Sequence, residues 1–101
     1  MAIPIQITAL HDLELTDGIK THVNSKFNKL EKHFSQIMDA HVTLSVDKKF
    51  LQTAKANLSL AAGGKVIASH TSDDLYASID LLIDKLDEQI RAHKEKLKDR
   101  D

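Results

Sequence analysis

The sequence contains no cysteine and no tryptophan, and only one proline and three glycines among its 101 residues. Without cysteine the chain has no disulfide, no thiolate nucleophile, and no cysteine ligand for zinc or an iron–sulfur cluster. Aromatic residues make up only 4% of the chain, so stacking of bases on aromatic rings is not the expected mode of any nucleic-acid binding. Stability must come from the packing of mainly aliphatic side chains.

Long apolar runs and a targeting segment are also missing. No run approaches the roughly 20 apolar residues of a membrane-spanning helix, and the N-terminus lacks a basic start followed by a long apolar stretch. We therefore expect no membrane association, no secretion, and a cytoplasmic protein. The length and the 42% hydrophobic content predict a single globular domain over residues 1–101.

The formal net charge of −1 hides a strong segregation of charge along the chain. Residues 18–35 carry four lysines against one glutamate, and residues 91–101 carry five basic side chains against three acids. Residues 73–90 carry six acids and one lysine. Segregation of this kind can give a nearly neutral protein a local basic surface for a polyanion such as RNA.

Hydropathy periodicity predicts the element order β-α-β-β-β-α. Alternation around Ile3, Ile5 and Ile7 predicts a first strand, and apolar residues at helical spacing predict a helix over 17–34. Further alternation predicts strands over 41–46, 53–60 and 65–71, with Gly63-Gly64 as the turn before the last of them. A second long helix follows, with apolar positions from Leu75 to Leu97.

The ends and faces of these elements predict how they pack. Thr16 is the predicted N-cap of the first helix, and Ser72 or Asp73 that of the second. Because each strand is polar on one face and each helix apolar on one face, we predict an α+β two-layer sandwich with both helices on one face of a four-stranded sheet. The first two strands would pair in parallel through the helical crossover.

The motifs of common enzymes are absent. There is no G-x-S-x-G elbow, and Gly63-Gly64 is too short to cradle a phosphate. The histidines show neither an H-E-x-x-H pattern nor an i, i+4 pair, which favours surface or RNA-facing roles over a metal site. They are His11, His22, His33, His41, His70 and His93. We expect no enzyme activity, no metal and no cofactor.

A helical wheel gives the first helix one flank without acids. This flank holds Gly18, His22, Ser25, Lys26, Lys29, Lys32 and His33. A helix that is merely solubilised by charge usually mixes signs, because opposite charges at i, i+4 stabilise it. We interpret the flank as a stripe that follows a phosphate backbone. A solvated basic flank is the alternative.

On the second helix, one edge of the apolar stripe carries Ser78, Lys85, Gln89, Ala92 and Lys96. Arg91, Lys94 and Lys98 lie among the acids. The acids Asp80, Asp84, Asp87 and Glu88 lie opposite the stripe, which predicts a solvated face rather than a general acid–base pair. Two basic edges would then flank a groove between the helices and form a concave cationic surface.

Segments along nearly the whole chain carry a family resemblance. The most specific is Asp74-Leu-Tyr-Ala-Ser-Ile-Asp-Leu-Leu-Ile-Asp-Lys-Leu86, followed by His93-Lys94. The others are Ile5-Gln-Ile-Thr8, Leu15-Thr16-Asp17, Lys26-Phe-Asn-Lys29-Leu-Glu-Lys32-His-Phe34, Val42-Thr-Leu-Ser-Val46 and Gly63-Gly64. Together they resemble the bacterial ribosome hibernation-promoting factor and protein Y family. The resemblance implies a β-α-β-β-β-α fold similar to double-stranded-RNA-binding domains.

The resemblance also implies a function and a set of contacts. Proteins of this family bind the small ribosomal subunit and its ribosomal RNA between head and body, across the messenger and transfer RNA sites, and inhibit translation in stationary phase. Seven basic residues match basic positions of the family pattern and are the implied RNA contacts. They are Lys26, Lys29 and Lys32 on the first helix, and Lys85, Arg91, Lys94 and Lys96 on the second.

Within the family, the chain resembles the short hibernation-promoting type, because it ends soon after the second helix. That type implies ribosome dimerisation together with a partner, ribosome modulation factor, and a monomer off the ribosome. Two alternatives are a protein Y-like inactivator that stabilises single ribosomes and a double-stranded-RNA-binding module with no ribosomal role. A small metal-dependent enzyme using the histidines is a third.

Overall fold

A computed structural model describes residues 4–10, 13–34, 37–47 and 51–98, without the side chains of Ala62 and of residues 93–98. The elements are β1 (Ile5–Leu10), α1 (Asp17–His33), β2 (Ile37–Val46), β3 (Gln52–Leu60), a 3₁₀ turn (Ala61–Gly63), β4 (Lys65–Ser72) and α2 (Leu75–Lys98). The predicted order β-α-β-β-β-α is confirmed. Within these residues, neither helix combines the length and apolar composition needed to cross a membrane.

The four strands form one sheet in the order β1-β2-β3-β4. β1 pairs with β2 in parallel, whereas β2 with β3 and β3 with β4 are antiparallel. One row across the sheet joins Ile7, Val42, Ala56 and Ala68. The predicted parallel pairing through the helical crossover is therefore confirmed. Ile3, part of the first predicted strand, lies outside the described residues.

The core lies between the sheet and the two helices, as predicted. Apolar residues three or four apart on each helix are buried, and so is every second residue along much of the strands. The buried helix positions are Ile19, Val23, Phe27 and Leu30 on α1, and Leu75, Ile79, Leu82, Leu86 and Ile90 on α2. The opposite face of the sheet is mainly polar, with Leu10 and Ile67 exposed on it, and both helices lie on the other side, where they position the candidate site.

The N-cap of α1 is the predicted one. Thr16 is extended, and its Oγ1 accepts a hydrogen bond from the backbone N of Ile19 at 3.2 Å. Because Thr16→Ala leaves that donor without its partner, we expect it to lower the free energy of unfolding by about 0.5–2 kcal/mol. Thr16→Ser retains the hydroxyl and is the control. Equal losses for both variants in urea denaturation would contradict the capping role.

The predicted start of α2 is early by one or two residues. The backbone N of Tyr76 donates to Asp74 Oδ1 at 3.1 Å, so Asp74 caps the helix instead of Ser72 or Asp73. Ser72 is the last residue of β4, and its Oγ accepts from the backbone N of Asp74 at 3.3 Å. Its hydroxyl stabilises the turn between strand and helix rather than the first turn of the helix.

Ser78 is the buried polar residue of the described core. Its Oγ donates to the backbone oxygen of Gln52 at 2.8 Å and lies 2.7 Å from Ser72 Oγ. The sequence pattern placed Ser78 on an edge of α2 as part of a basic groove. Instead, its hydroxyl links the start of α2 to the first residue of β3 and the last residue of β4.

Candidate nucleic-acid interface

The middle of the acid-free flank of α1, at His22 and Lys26, lies against α2, whereas Lys29, Lys32 and His33 of the same flank are exposed. A Cβ added to Gly18 would lie 3.1 Å from Tyr76 Oη, and one turn later the His22 ring meets the Tyr76 ring edge-on at 4.9 Å. His22 Nε2 lies 2.8 Å from Asp80 Oδ1, and Lys26 Nζ lies 3.5 Å from the same oxygen. Successive turns of the two helices therefore meet in register, and the helices run in the same direction. We call this line of contacts the seam.

Beyond Lys26 the seam opens into a cleft of about 350 Å³. It is lined by Lys26, Lys29, Leu30 and His33 of α1, and by Asp80, Ile83, Asp84 and Asp87 of α2. One wall is basic and the other acidic, and Leu30 and Ile83 supply its apolar surface. The cleft is therefore a boundary between charges of opposite sign.

This arrangement corrects the prediction for the acids of α2. Asp80, Asp84 and Asp87 were expected on a solvated face away from the groove, but all three line the cleft. A helical wheel identifies the face that packs on the sheet, and it does not show which flank turns towards a neighbouring helix. Asp84, at the rim of the cleft, and Glu88 are exposed, as expected, whereas Asp80 and Asp87 are partly buried.

The predicted concave surface with two basic edges is also wrong. The edge of α2 that faces α1 is acidic, and Lys85 lies on the other edge, where its Nζ donates to the backbone oxygen of Ser69 in β4 at 2.8 Å. The structure therefore separates Lys85 from the lysines of α1. Lys94 and Lys96 belong to α2, but their side chains lie outside the described part of the chain.

The three lysines of α1 have different surroundings. Lys26 is half-buried and paired with Asp80, whereas Lys29 and Lys32 are exposed and, among the described side chains, form no ion pair. A lysine without a partner can bind a phosphate without first losing an internal contact. Lys29 and Lys32 are therefore the most available cations of the predicted α1 set.

Arg91 of α2 lies against the C-terminal end of α1. Its Nε donates to Asp87 Oδ1, and its guanidinium carbon lies 5.9 Å from the centroid of the Phe34 ring. His33 is exposed beside Phe34. Lys32 and His33 lie in the last turn of α1, where the helix dipole favours basic side chains. We call the exposed groups Lys29, Lys32, His33 and Arg91 the basic end.

The histidines give no sign of a metal site in the part of the chain that is described. His22 contacts Asp80, and His41 Nε2 lies 3.2 Å from Thr8 Oγ1. No group of three potential ligands comes together among the described residues. His11 lies outside the described residues, as does the side chain of His93.

The His22–Asp80–Lys26 cluster is a feature that sequence reasoning missed. A signal for it was present: the flank of α1 lacks acids while residues 73–90 are rich in them. A run of basic residues on one amphipathic helix and of acidic residues on another indicates that each helix supplies the counter-charges of the other. Reading each helix separately concealed this pairing.

Comparison with known proteins is consistent with this geometry. A family model described as "Sigma 54 modulation protein / S30EA ribosomal protein" matches residues 5–98. The ribosome hibernation promoting factor of Klebsiella oxytoca is 44% identical over 88 residues, which cover 87% of this chain and 90% of that relative.

Two solved structures have the same fold. The N-terminal domain of Thermus thermophilus Protein Y is 31% identical with a TM-score of 0.77, and the match covers 92% of this chain and 99% of that domain. A ribosomal subunit interface protein from Coxiella burnetii has a TM-score of 0.81 at 23% identity, with the same coverage; it supports the fold alone. Since the family model spans almost the whole sequence and the Klebsiella relative is 44% identical over most of both chains, the chain belongs to the ribosome hibernation-promoting factor and protein Y family.

Proposed function

We propose that this protein is a ribosome hibernation factor that binds the small ribosomal subunit across the messenger and transfer RNA sites and inhibits translation in stationary phase. The observation that carries the proposal is the family match over residues 5–98. Relatives of this chain are named ribosome hibernation promoting factor, and a structural neighbour is named protein Y. Inhibition by occupying the channel requires a folded domain of the right shape and charge and no catalytic group.

The basic end supports contact with ribosomal RNA. Lys29, Lys32 and Arg91 come from two helices and are exposed near the C-terminal ends of the seam. Phosphate contacts from such side chains release counterions and so provide affinity that falls with salt. We propose these three as the principal contacts. Lys26, Lys85, Lys94 and Lys96 are proposed further contacts from the family pattern.

Cosedimentation tests this function directly. Small subunits, large subunits and an RNA duplex of about 16 base pairs, a length that one duplex-binding domain can span, are each mixed with the protein. We expect small subunits to bind about a thousandfold more tightly than the duplex, the lower end of the usual ratio of specific to non-specific nucleic-acid affinity. Equal affinities would support a general duplex-RNA-binding module instead.

We further propose that the protein is a monomer off the ribosome and supports ribosome dimers only together with ribosome modulation factor. The hibernation-promoting relative at 44% identity is more similar than the protein Y domain at 31%, which favours this branch. Sucrose gradients of ribosomes with each protein alone and with both provide the test. Dimers formed by this protein alone, or dimers suppressed by it when the factor is present, would contradict the assignment.

A further inference from the structure

Asp80 of α2 contacts the middle of the basic flank of α1. A single oxygen, Oδ1, lies 2.8 Å from His22 Nε2 and 3.5 Å from Lys26 Nζ. The Asp80 side chain is 48% exposed, against 24% for His22 and 30% for Lys26. The Asp80 side chain is therefore more exposed to solvent than the imidazole and the lysine that it contacts.

An RNA phosphate oxygen at this position would meet the same two side chains, His22 and Lys26. Carboxylate and phosphate oxygens both accept charge-assisted hydrogen bonds from lysine, and an imidazole N–H can donate to either. Tyr76 meets the His22 ring edge-on at an interplanar angle of 79° and holds one side of the imidazole. Asp80 thus acts as an internal anion in a site that would otherwise accept a phosphate.

Stability alone gives little reason for a charge at this position. Ion pairs between partly exposed side chains such as these contribute modestly to folding, because water screens them. Around Asp80, α2 is held to the core by apolar side chains such as Ile79 and Leu82, which are fully buried. Removing the charge while retaining the shape is therefore expected to leave the fold intact.

We propose that Asp80 is a specificity-determining residue, whose carboxylate occupies His22 and Lys26 and so prevents them from binding the phosphates of arbitrary RNA. This inference rests on the proposed function of ribosomal RNA binding. Non-specific affinity for RNA is mostly phosphate neutralisation, and a factor that must find one site amid abundant RNA gains from a lower non-specific affinity. Lys29 and Lys32 remain free to act at the specific site.

The test compares a generic RNA duplex with purified small subunits across a range of salt concentrations. Asp80→Asn keeps an oxygen that accepts from His22 Nε2 and removes the charge, and Asp80→Glu keeps the charge. Asp39→Asn is the matched control, since Asp39 is exposed on β2 and the change in net charge is identical. Thermal unfolding of each variant confirms that it is folded.

We expect Asp80→Asn to bind the duplex about 10-fold more tightly near 0.1 M salt, with a salt slope steeper by about one unit, because a further phosphate contact becomes available. Asp80→Glu should behave like the unmodified protein. Affinity for the small subunit should rise less. The phosphates of that binding site have fixed positions, and the unmodified protein already binds them with Asp80 present. A duplex affinity no higher than that of Asp39→Asn, or an equal gain on both ligands, would overturn the proposal.

A second pair of variants leaves Asp80 untouched. Lys26→Met should barely change duplex binding because its charge is already occupied, whereas Lys29→Met should weaken it about 10-fold near 0.1 M salt. If Lys26→Met and Lys29→Met lost duplex affinity equally, the proposal would be overturned, even if Asp80→Asn failed to fold. Failure of the proposed ribosomal function would give a different result. The unmodified protein would then show no preference for small subunits over the duplex.

Discussion

Replacing Lys29 and Lys32 together by alanine is expected to weaken binding to the small ribosomal subunit about 100-fold near 0.1 M salt, because two phosphate contacts are lost. The slope of log affinity against log salt should fall by about two units. Both side chains are exposed, so the free energy of unfolding should change by no more than about 0.5 kcal/mol for each substitution. Cosedimentation at several salt concentrations measures both effects.

The open face of the sheet offers a matched control for this variant. Lys55 and Lys65 are exposed and alternate with buried neighbours such as Ala56 and Val66, so they point away from the helices. Replacing both by alanine removes the same charge from the opposite side of the molecule. An equal loss in this control would indicate a long-range charge effect, and unaltered binding by the folded Lys29 and Lys32 variant would place the interface elsewhere.

Phe27→Ala is expected to have the largest effect on stability. Phe27 is fully buried on α1 between the sheet and α2, and deleting a buried phenyl group costs about 3–5 kcal/mol. That is a large share of the roughly 5–15 kcal/mol by which a domain of this size is stable. Because Phe27 holds in place the helix that carries Lys29 and Lys32, ribosome binding should fall in parallel with the folded fraction.

Urea denaturation measures this loss. Phe27→Leu fills much of the same space, so it is expected to lower the free energy of unfolding clearly less than Phe27→Ala does. Comparison of the two variants isolates the contribution of the cavity. A loss below about 1 kcal/mol for Phe27→Ala would be at odds with a fully packed site.

The sequence predicts the strands well wherever the alternation of apolar and polar residues is uninterrupted. β3 and β4 begin and end within one residue of the predicted bounds. β2 starts at Ile37, four residues before the predicted start at His41. The register shifts between Ile37 and Asp39, and both Met38 and Asp39 are exposed. This irregularity breaks the alternation, so the pattern of apolar residues conceals the start of the strand.

The candidate site is less predictable than the fold, because a wheel places each residue relative to its own helix alone. The basic character of α1 follows from the sequence. Whether its basic flank faces solvent or α2 depends on where α2 packs. Asp80 supplies the counter-charge that α1 itself lacks, and Lys85 turns to β4. Both facts depend on tertiary packing between residues distant in sequence.

The central claim is that α1 faces ribosomal RNA of the small subunit. Because the protein has no cysteine, Asn28→Cys gives a single attachment point for an iron chelate at an exposed position beside Lys29 and one turn from Lys32. Hydroxyl radicals from the chelate cleave nearby RNA. We predict cleavage of small-subunit ribosomal RNA and none of large-subunit RNA. If the labelled protein binds the subunit and position 28 produces no cleavage, while a chelate at Ser69→Cys on the open sheet face does, the account is contradicted.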